Sequence, residues 1–282
     1  MVGRGVNDMP ATELHELFSR CFPAQENILR QLLDDVCRLY NGEWSQWQAC
    51  QVAYHNIEHI QAVLRVALQI MAGHSKLSQQ PIVTTEVKIV AAAAMFHDSG
   101  YLKEKNDLSG GCGGQYTFEH VERSQLLAQS YLVRQPDWSV AECQAVVAII
   151  GATQMSSMGE QSAVLPPEFA GLAQMVASAD LLAQMADENY LQKLPHLYAE
   201  FAEAYAAQGR SFLRRRGFMV FDSYEQLLAS SADFIHKQVL PRLLQLGNWE
   251  LALQCYFATQ PSPYMQQLLL NLHQIETLAK QS

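Results

Sequence analysis

Several features that would place a protein outside the cell, in a membrane or on nucleic acid are scarce in this chain. Its six cysteines, at positions 21, 37, 50, 112, 143 and 255, form no Cys-x-x-Cys pair, and no secretory leader is expected ahead of them. Reduced thiols in a cytoplasmic protein are therefore expected. No stretch approaches the roughly eighteen uninterrupted apolar residues of a membrane span. The polar opening Met1-Val-Gly-Arg-Gly-Val-Asn-Asp has no hydrophobic region of a signal peptide, so a soluble protein with no membrane partner is expected. Basic residues are few, 19 Lys and Arg against 28 Asp and Glu, for a formal net charge of -9. That balance argues against a nucleic-acid polymer as partner, because such binding relies on cations neutralising phosphates. Small phosphorylated substrates remain compatible with it. The Gly-x-x-x-x-Gly-Lys-[Ser/Thr] phosphate loop is missing, convincing alternating strand patterns are few, and no internal repeat is evident.

What the chain does have is length, apolar content and helical periodicity. With 282 residues, 49% of them hydrophobic, it can bury a large core, and a single all-α domain over 1-282 is expected. Ile28, Leu32, Val36 and Leu39 fall on one face of a helix over 25-40 that Asn41-Gly42 ends. Thr12 is placed to cap an earlier helix. Further helices are predicted over 56-72, 84-97, 118-134, 139-153, 167-185, 187-207, 223-246, 249-258 and 263-280. The Arg214-Arg215-Arg216 triplet reads as a solvated charged face near a helix end.

Polar groups inserted into apolar runs mark the candidate site. Lys88-Ile-Val-Ala-Ala-Ala-Ala-Met-Phe is too apolar to face water, so it delivers His97 and Asp98 into the interior. Burying them unpaired costs several kcal/mol, and a bound cation is the simplest partner for an imidazole beside a carboxylate. Asp180 likewise ends an apolar and small-residue run, Leu172 to Ala179. His55 and His59, four residues apart in Tyr54-His55-Asn56-Ile57-Glu58-His59, would lie one turn apart on a helix from Asn56. Taken alone, that pair also suits two ordinary histidines at a helix mouth.

His59, the His97-Asp98 doublet and Asp180 resemble the H…HD…D signature of the HD-domain superfamily of metal-dependent phosphohydrolases. The patterns Tyr54-His55-Asn56-x-x-His59, Phe96-His97-Asp98 and Ala179-Asp180-Leu181 are similar to those of 3',5'-cyclic-nucleotide phosphodiesterases. The resemblance covers about residues 50-185. It implies a helical HD core, with helical additions over 1-49 and 186-282. It further implies that His59, His97, Asp98 and Asp180 ligate a divalent ion, that Asp98 bridges to a second, and that His55 donates a proton to the leaving oxygen. Two nitrogens and two carboxylates suit Mn, Fe, Co, Ni or Zn, with Mg at a second position.

Other candidates lie around this pattern. His120, in Phe118-Glu119-His120-Val121-Glu122, is the candidate for a second ion; its alternative role is a solvated residue in the first turn of a helix. Glu122 is a candidate to orient a water or substrate, or to hold Arg123. Thr153 and Gln154, in Ile149 to Met155, stand where dinuclear HD proteins usually provide another histidine, and are candidate substrate contacts. Between the doublet and His120 runs Lys103 to Gln115, with Gly110-Gly-Cys-Gly-Gly. A mobile lid is expected there, with Lys103 and Lys105 reaching a substrate phosphate; the alternative is a disordered surface excursion.

The leading function is hydrolysis of a phosphoester or phosphodiester in a small nucleotide-like molecule. The alternatives are an HD-type di-iron oxygenase and a non-catalytic sensor that keeps the metal as a staple. The sequence assigns no oligomeric state.

Overall fold

The computed structural model describes residues 11-154 and 167-279. Met155, Lys280 and the opening segment Met1 to Asp8 lie outside the described residues. The fold is all-α, with no strand among the described residues and one isolated bridge between Trp47 and Glu104. The helices are α1 (Ala11–Cys21), α2 (Glu26–Tyr40), α3 (Ile57–Ser78), α4 (Thr84–Phe96), α5 (His120–Leu132), α6 (Val140–Gly151) and α7 (Ala170–Met185). They are followed by α8 (Tyr190–Gln208), α9 (Arg210–Arg215), α10 (Tyr224–Phe234), α11 (Leu240–Gln245), α12 (Glu250–Phe257) and α13 (Pro263–Ala279).

Helix α4 is the axis of the molecule. Ala91 to Phe96 are fully buried, as expected of a helix that is apolar on every side. Its alanines let α2, α3, α6 and α7 approach closely. Helix α3 starts where the sequence provides a cap: Asn56 Oδ1 accepts the amides of Glu58 and His59 at 2.9 and 3.3 Å. Helix α6 starts with a reciprocal Ser139–Glu142 capping box.

Both predicted additions are built into the main core, which extends from Leu14 of α1 to Ile275 of α13. A Cβ added at Gly73 of α3 would lie 1.9 Å from the Ala252 carbonyl oxygen, which shows how closely α12 packs there. Tyr264 donates to Gln69 Oε1 at 2.7 Å, and Asn271 donates to the carbonyls of Met185 and Asp187, closing the end of α7.

Several elements depart from the periodicity: α3 runs on to Ser78 rather than ending at 72, and α1 already begins at Ala11, ahead of the expected cap Thr12. Helix α8 begins at Tyr190 rather than Asp187, because the Asp187 carboxylate accepts the Asn189 amide at 2.8 Å and makes a turn first. The expected helix over 223-246 contains a π segment, Ile235–Val239, just before Pro241, whose ring cannot donate to the preceding turn. The arginine-rich stretch forms the short α9, which was not expected. Arg214 pairs with Asp222 at 2.6 Å, and Leu213 is buried with Tyr205 and Val220.

Candidate metal centre

Four elements bring the expected ligands together. The Asn56 cap sets His59 in the first turn of α3. His97 ends α4, and Asp98 begins a 3-10 turn, Ser99–Tyr101. Asp180 projects from the middle of α7. His59 Nε2 is the hub, 3.2 Å from Asp98 Oδ2, 3.3 Å from Asp180 Oδ1 and 3.3 Å from His97 Nε2. His97 Nε2 stands 3.1 Å from Asp98 Oδ2 and 3.6 Å from Asp180 Oδ1. Neighbouring ligand atoms on a coordination sphere with bonds of about 2.1 Å lie roughly 3 Å apart, so the spacing of His59, His97 and Asp98 suits a single ion, with Asp180 beside them.

Hydrogen bonding and charge fit that reading. His97 Nδ1 faces the Ala94 carbonyl at 2.9 Å, so it carries a proton and directs Nε2 at the cluster. Asp98 Oδ2 is buried and makes no hydrogen bond of good geometry. Such an atom calls for a partner that two imidazole nitrogens do not supply. Burial would raise the Asp98 carboxyl, but His97, His55 and contacts with His59 hold it well below the usual range. Asp180 is lowered in the same way, against burial, by His59 and His97. Burial depresses His97, yet Asp98 and Asp180 raise it well above an ordinary imidazole. The cluster thus strongly favours positive charge, and its donor set fits a divalent cation.

The second oxygen of Asp98 faces elsewhere. Oδ1 lies 3.4 Å from His120 Nε2, while His120 Nδ1 is tied to the Thr117 carbonyl at 2.7 Å. Burial lowers the His120 pKa despite Asp98, and the Thr117 contact at Nδ1 turns Nε2 toward the carboxylate. Asp98 therefore joins the main cluster to His120.

His55 stands beside both groups without joining the ligand cluster. Its ring is edge-on to His59 at 5.7 Å and stacked on Tyr101 at 4.5 Å, and Tyr101 in turn stacks on His120 at 4.7 Å. Glu200 of α8 holds His55. One oxygen meets His55 Nδ1 at 2.6 Å, and the other accepts the Tyr54 and His55 amides at 2.7 and 3.4 Å. Burial pushes the His55 pKa down, but Glu200, then Asp98, raise it above the usual value. Sequence reasoning missed Glu200. No local signal in the sequence marks this acid, which lies between Tyr198 and Phe201 and is buried by the fold.

The structure gives other predicted residues different surroundings. Lys103 is buried and donates to the carbonyls of Ser109 and Gly111 at 2.5 and 3.1 Å, so its ammonium anchors its own loop. Glu203 accepts the amides of Cys112, Gly113 and Gln115. The glycine-rich segment is thus tied to α8, in place of the expected lid. Glu122 is exposed and does not hold Arg123, which instead donates to the carbonyls of Gly100 and Leu102 and lies over the Tyr116 ring. The Thr153 hydroxyl bonds back to the Ile150 carbonyl, and Gln154 is exposed.

Among the described residues, no helix is long and apolar enough to cross a membrane. A comparison with curated proteins finds no match. Residues 12-239, most of the chain, match the family model described as Npun_R2479-like, and the protein belongs to that family.

Proposed function

We propose that the protein is a metal-dependent phosphohydrolase that cleaves a phosphoester or phosphodiester of a small, nucleotide-like substrate. The observation that carries this reading is the convergence of His59, His97, Asp98 and Asp180 beside an imidazole, His55, that is not one of them. The HD-like sequence pattern supports it. A divalent ion at such a site supplies Lewis-acid chemistry, acidifying water and drawing charge from a phosphoryl oxygen.

The chain's own residues do the rest. Asp98 and Asp180 set the negative charge that selects a cation, and the Ala94 carbonyl keeps His97 aimed inward. In hydrolysis, water oxygen bonds to phosphorus as the ester oxygen leaves, and the leaving oxygen takes its proton from His55. The 2.6 Å contact of His55 Nδ1 with Glu200 keeps the other ring nitrogen for that transfer. His120, across Asp98, supports a two-ion version of the same site.

The test is elemental analysis of the purified protein combined with assays on nucleotide and phosphoester panels. Asp98→Ala is expected to lose metal and hydrolysis together. An Asp98→Ala protein that keeps both would end the assignment. Two irons per chain with oxygen consumption would favour the oxygenase, and a metal-replete protein inert across the panels would favour the sensor.

A further inference from the structure

Asp180 is the outlying member of the ligand set. Its Oδ1 stands 3.3 Å from His59 Nε2 and 3.6 Å from His97 Nε2, whereas Asp98 Oδ2 stands 3.2 and 3.1 Å from the same two nitrogens. Whether Asp180 serves an ion held by the other three therefore depends on how its carboxylate is turned. The terminal torsion of an aspartate is broad and weakly preferred, so a neighbouring group must set it.

Gln184 is that group. It lies four residues on, one turn along the same face of α7, and its amide donates to Asp180 Oδ1 at 2.8 Å. This is the oxygen that faces both histidines. A carboxylate oxygen has two lone pairs, so Oδ1 can accept the amide and still face the cluster. The bond has the same form as the one that aims His97, whose Nδ1 is tied to the Ala94 carbonyl. Such outer partners fix the orientation of a metal ligand and tune its affinity. Glutamine and aspartate one turn apart also pair as ordinary contacts on helix surfaces, but here the aspartate side chain is only 13% exposed and lies against His59 and His97.

We propose that Gln184 is a positioning residue for the cation: its amide holds Asp180 Oδ1 toward His59 and His97, and so sets how tightly the ion is bound. The inference rests on the metal-binding part of the proposed function and on no particular substrate.

The test uses the full chain, stripped with a chelator and titrated with cobalt(II), with binding followed by equilibrium dialysis and by the visible absorption of the bound ion. Gln184→Met keeps the length of the side chain and removes the donor. Gln184→Asn keeps the amide and draws it back by one methylene. Gln184 borders a cavity of about 400 Å³, so both changes alter an existing space and the metal-free proteins should melt as the wild type does. Each variant is expected to bind cobalt about 10–100-fold more weakly, with a changed visible spectrum. Gln61→Met is the control. Gln61 lines the same cavity, but its amide points to Cys37 Sγ at 3.7 Å, and its loss should leave cobalt affinity and spectrum unchanged. Wild-type affinity and spectrum in Gln184→Met or Gln184→Asn would overturn the proposal. An equal weakening in Gln61→Met would overturn it too, by showing that the effect belongs to the cavity and not to the bond. A wild type that binds no cobalt, manganese or zinc would bring down the metal reading itself, and this inference with it.

Discussion

At the scale of single residues, the informative contrast is between Asp98 and His55. Asp98 sits inside the ligand cluster, whereas His55 is excluded from it by its bond to Glu200. Replacing His55 with alanine should therefore leave the metal in place and lower turnover by about 10²–10⁴-fold, the usual contribution of a positioned acid. Metal analysis beside steady-state rates checks this, and unchanged turnover would remove the acid role. Glu200 is a positioning residue with its own signature. His55 must be protonated to donate, so activity falls as pH rises through its raised pKa. Glu200→Gln removes the nearest negative charge and should move that alkaline limb to lower pH, with KM less affected than kcat. A pH profile that coincides with the wild type would refute the coupling.

At the scale of elements, the turn after the doublet sets the position of Asp98 relative to His120. Gly100 lies against the start of α5, and a Cβ there would be 1.9 Å from the His120 carbonyl oxygen. Gly100→Ala should push α5 away and cost about 1–3 kcal/mol of stability, typical of overpacking. Urea unfolding reads the loss, and metal titration should show weaker binding at the His120 side. Wild-type values in both would show that the turn has slack. Elements of this kind were largely legible in the sequence, because Asn56, Ser139 and Ser223 are caps and the apolar period marks α2 and α4. His97, Asp98 and Asp180 were legible for a related reason, since a polar group after an apolar run needs a partner, whereas His59 was legible only through its spacing and the resemblance. Glu200 was not, since nothing local distinguishes it from other acids on α8, and its partner is 145 positions away. Lys103 failed as a substrate contact because a glycine-rich loop offers carbonyls to any nearby ammonium.

At the scale of the whole molecule, the family match ends at residue 239, yet the chain beyond it is part of the same core. Helix α12 packs along α3 at Gly73, and Asn271 of α13 closes the helix that carries Asp180. A chain ending at Gly247 should therefore lack a cooperative thermal transition. Calorimetry checks it, and a truncated protein that melts like the full chain with full metal content would make the last two helices an ornament.

Glu200 also sets an order of dependence. The four ligands come from α3, the turn after α4, and α7, whereas the acid is held by a carboxylate on α8. Lifting that one helix would take the Glu200 carboxylate from His55 and leave His59, His97, Asp98 and Asp180 where they are. On the proposed reading, displacing α8 would stop turnover while metal content stayed the same.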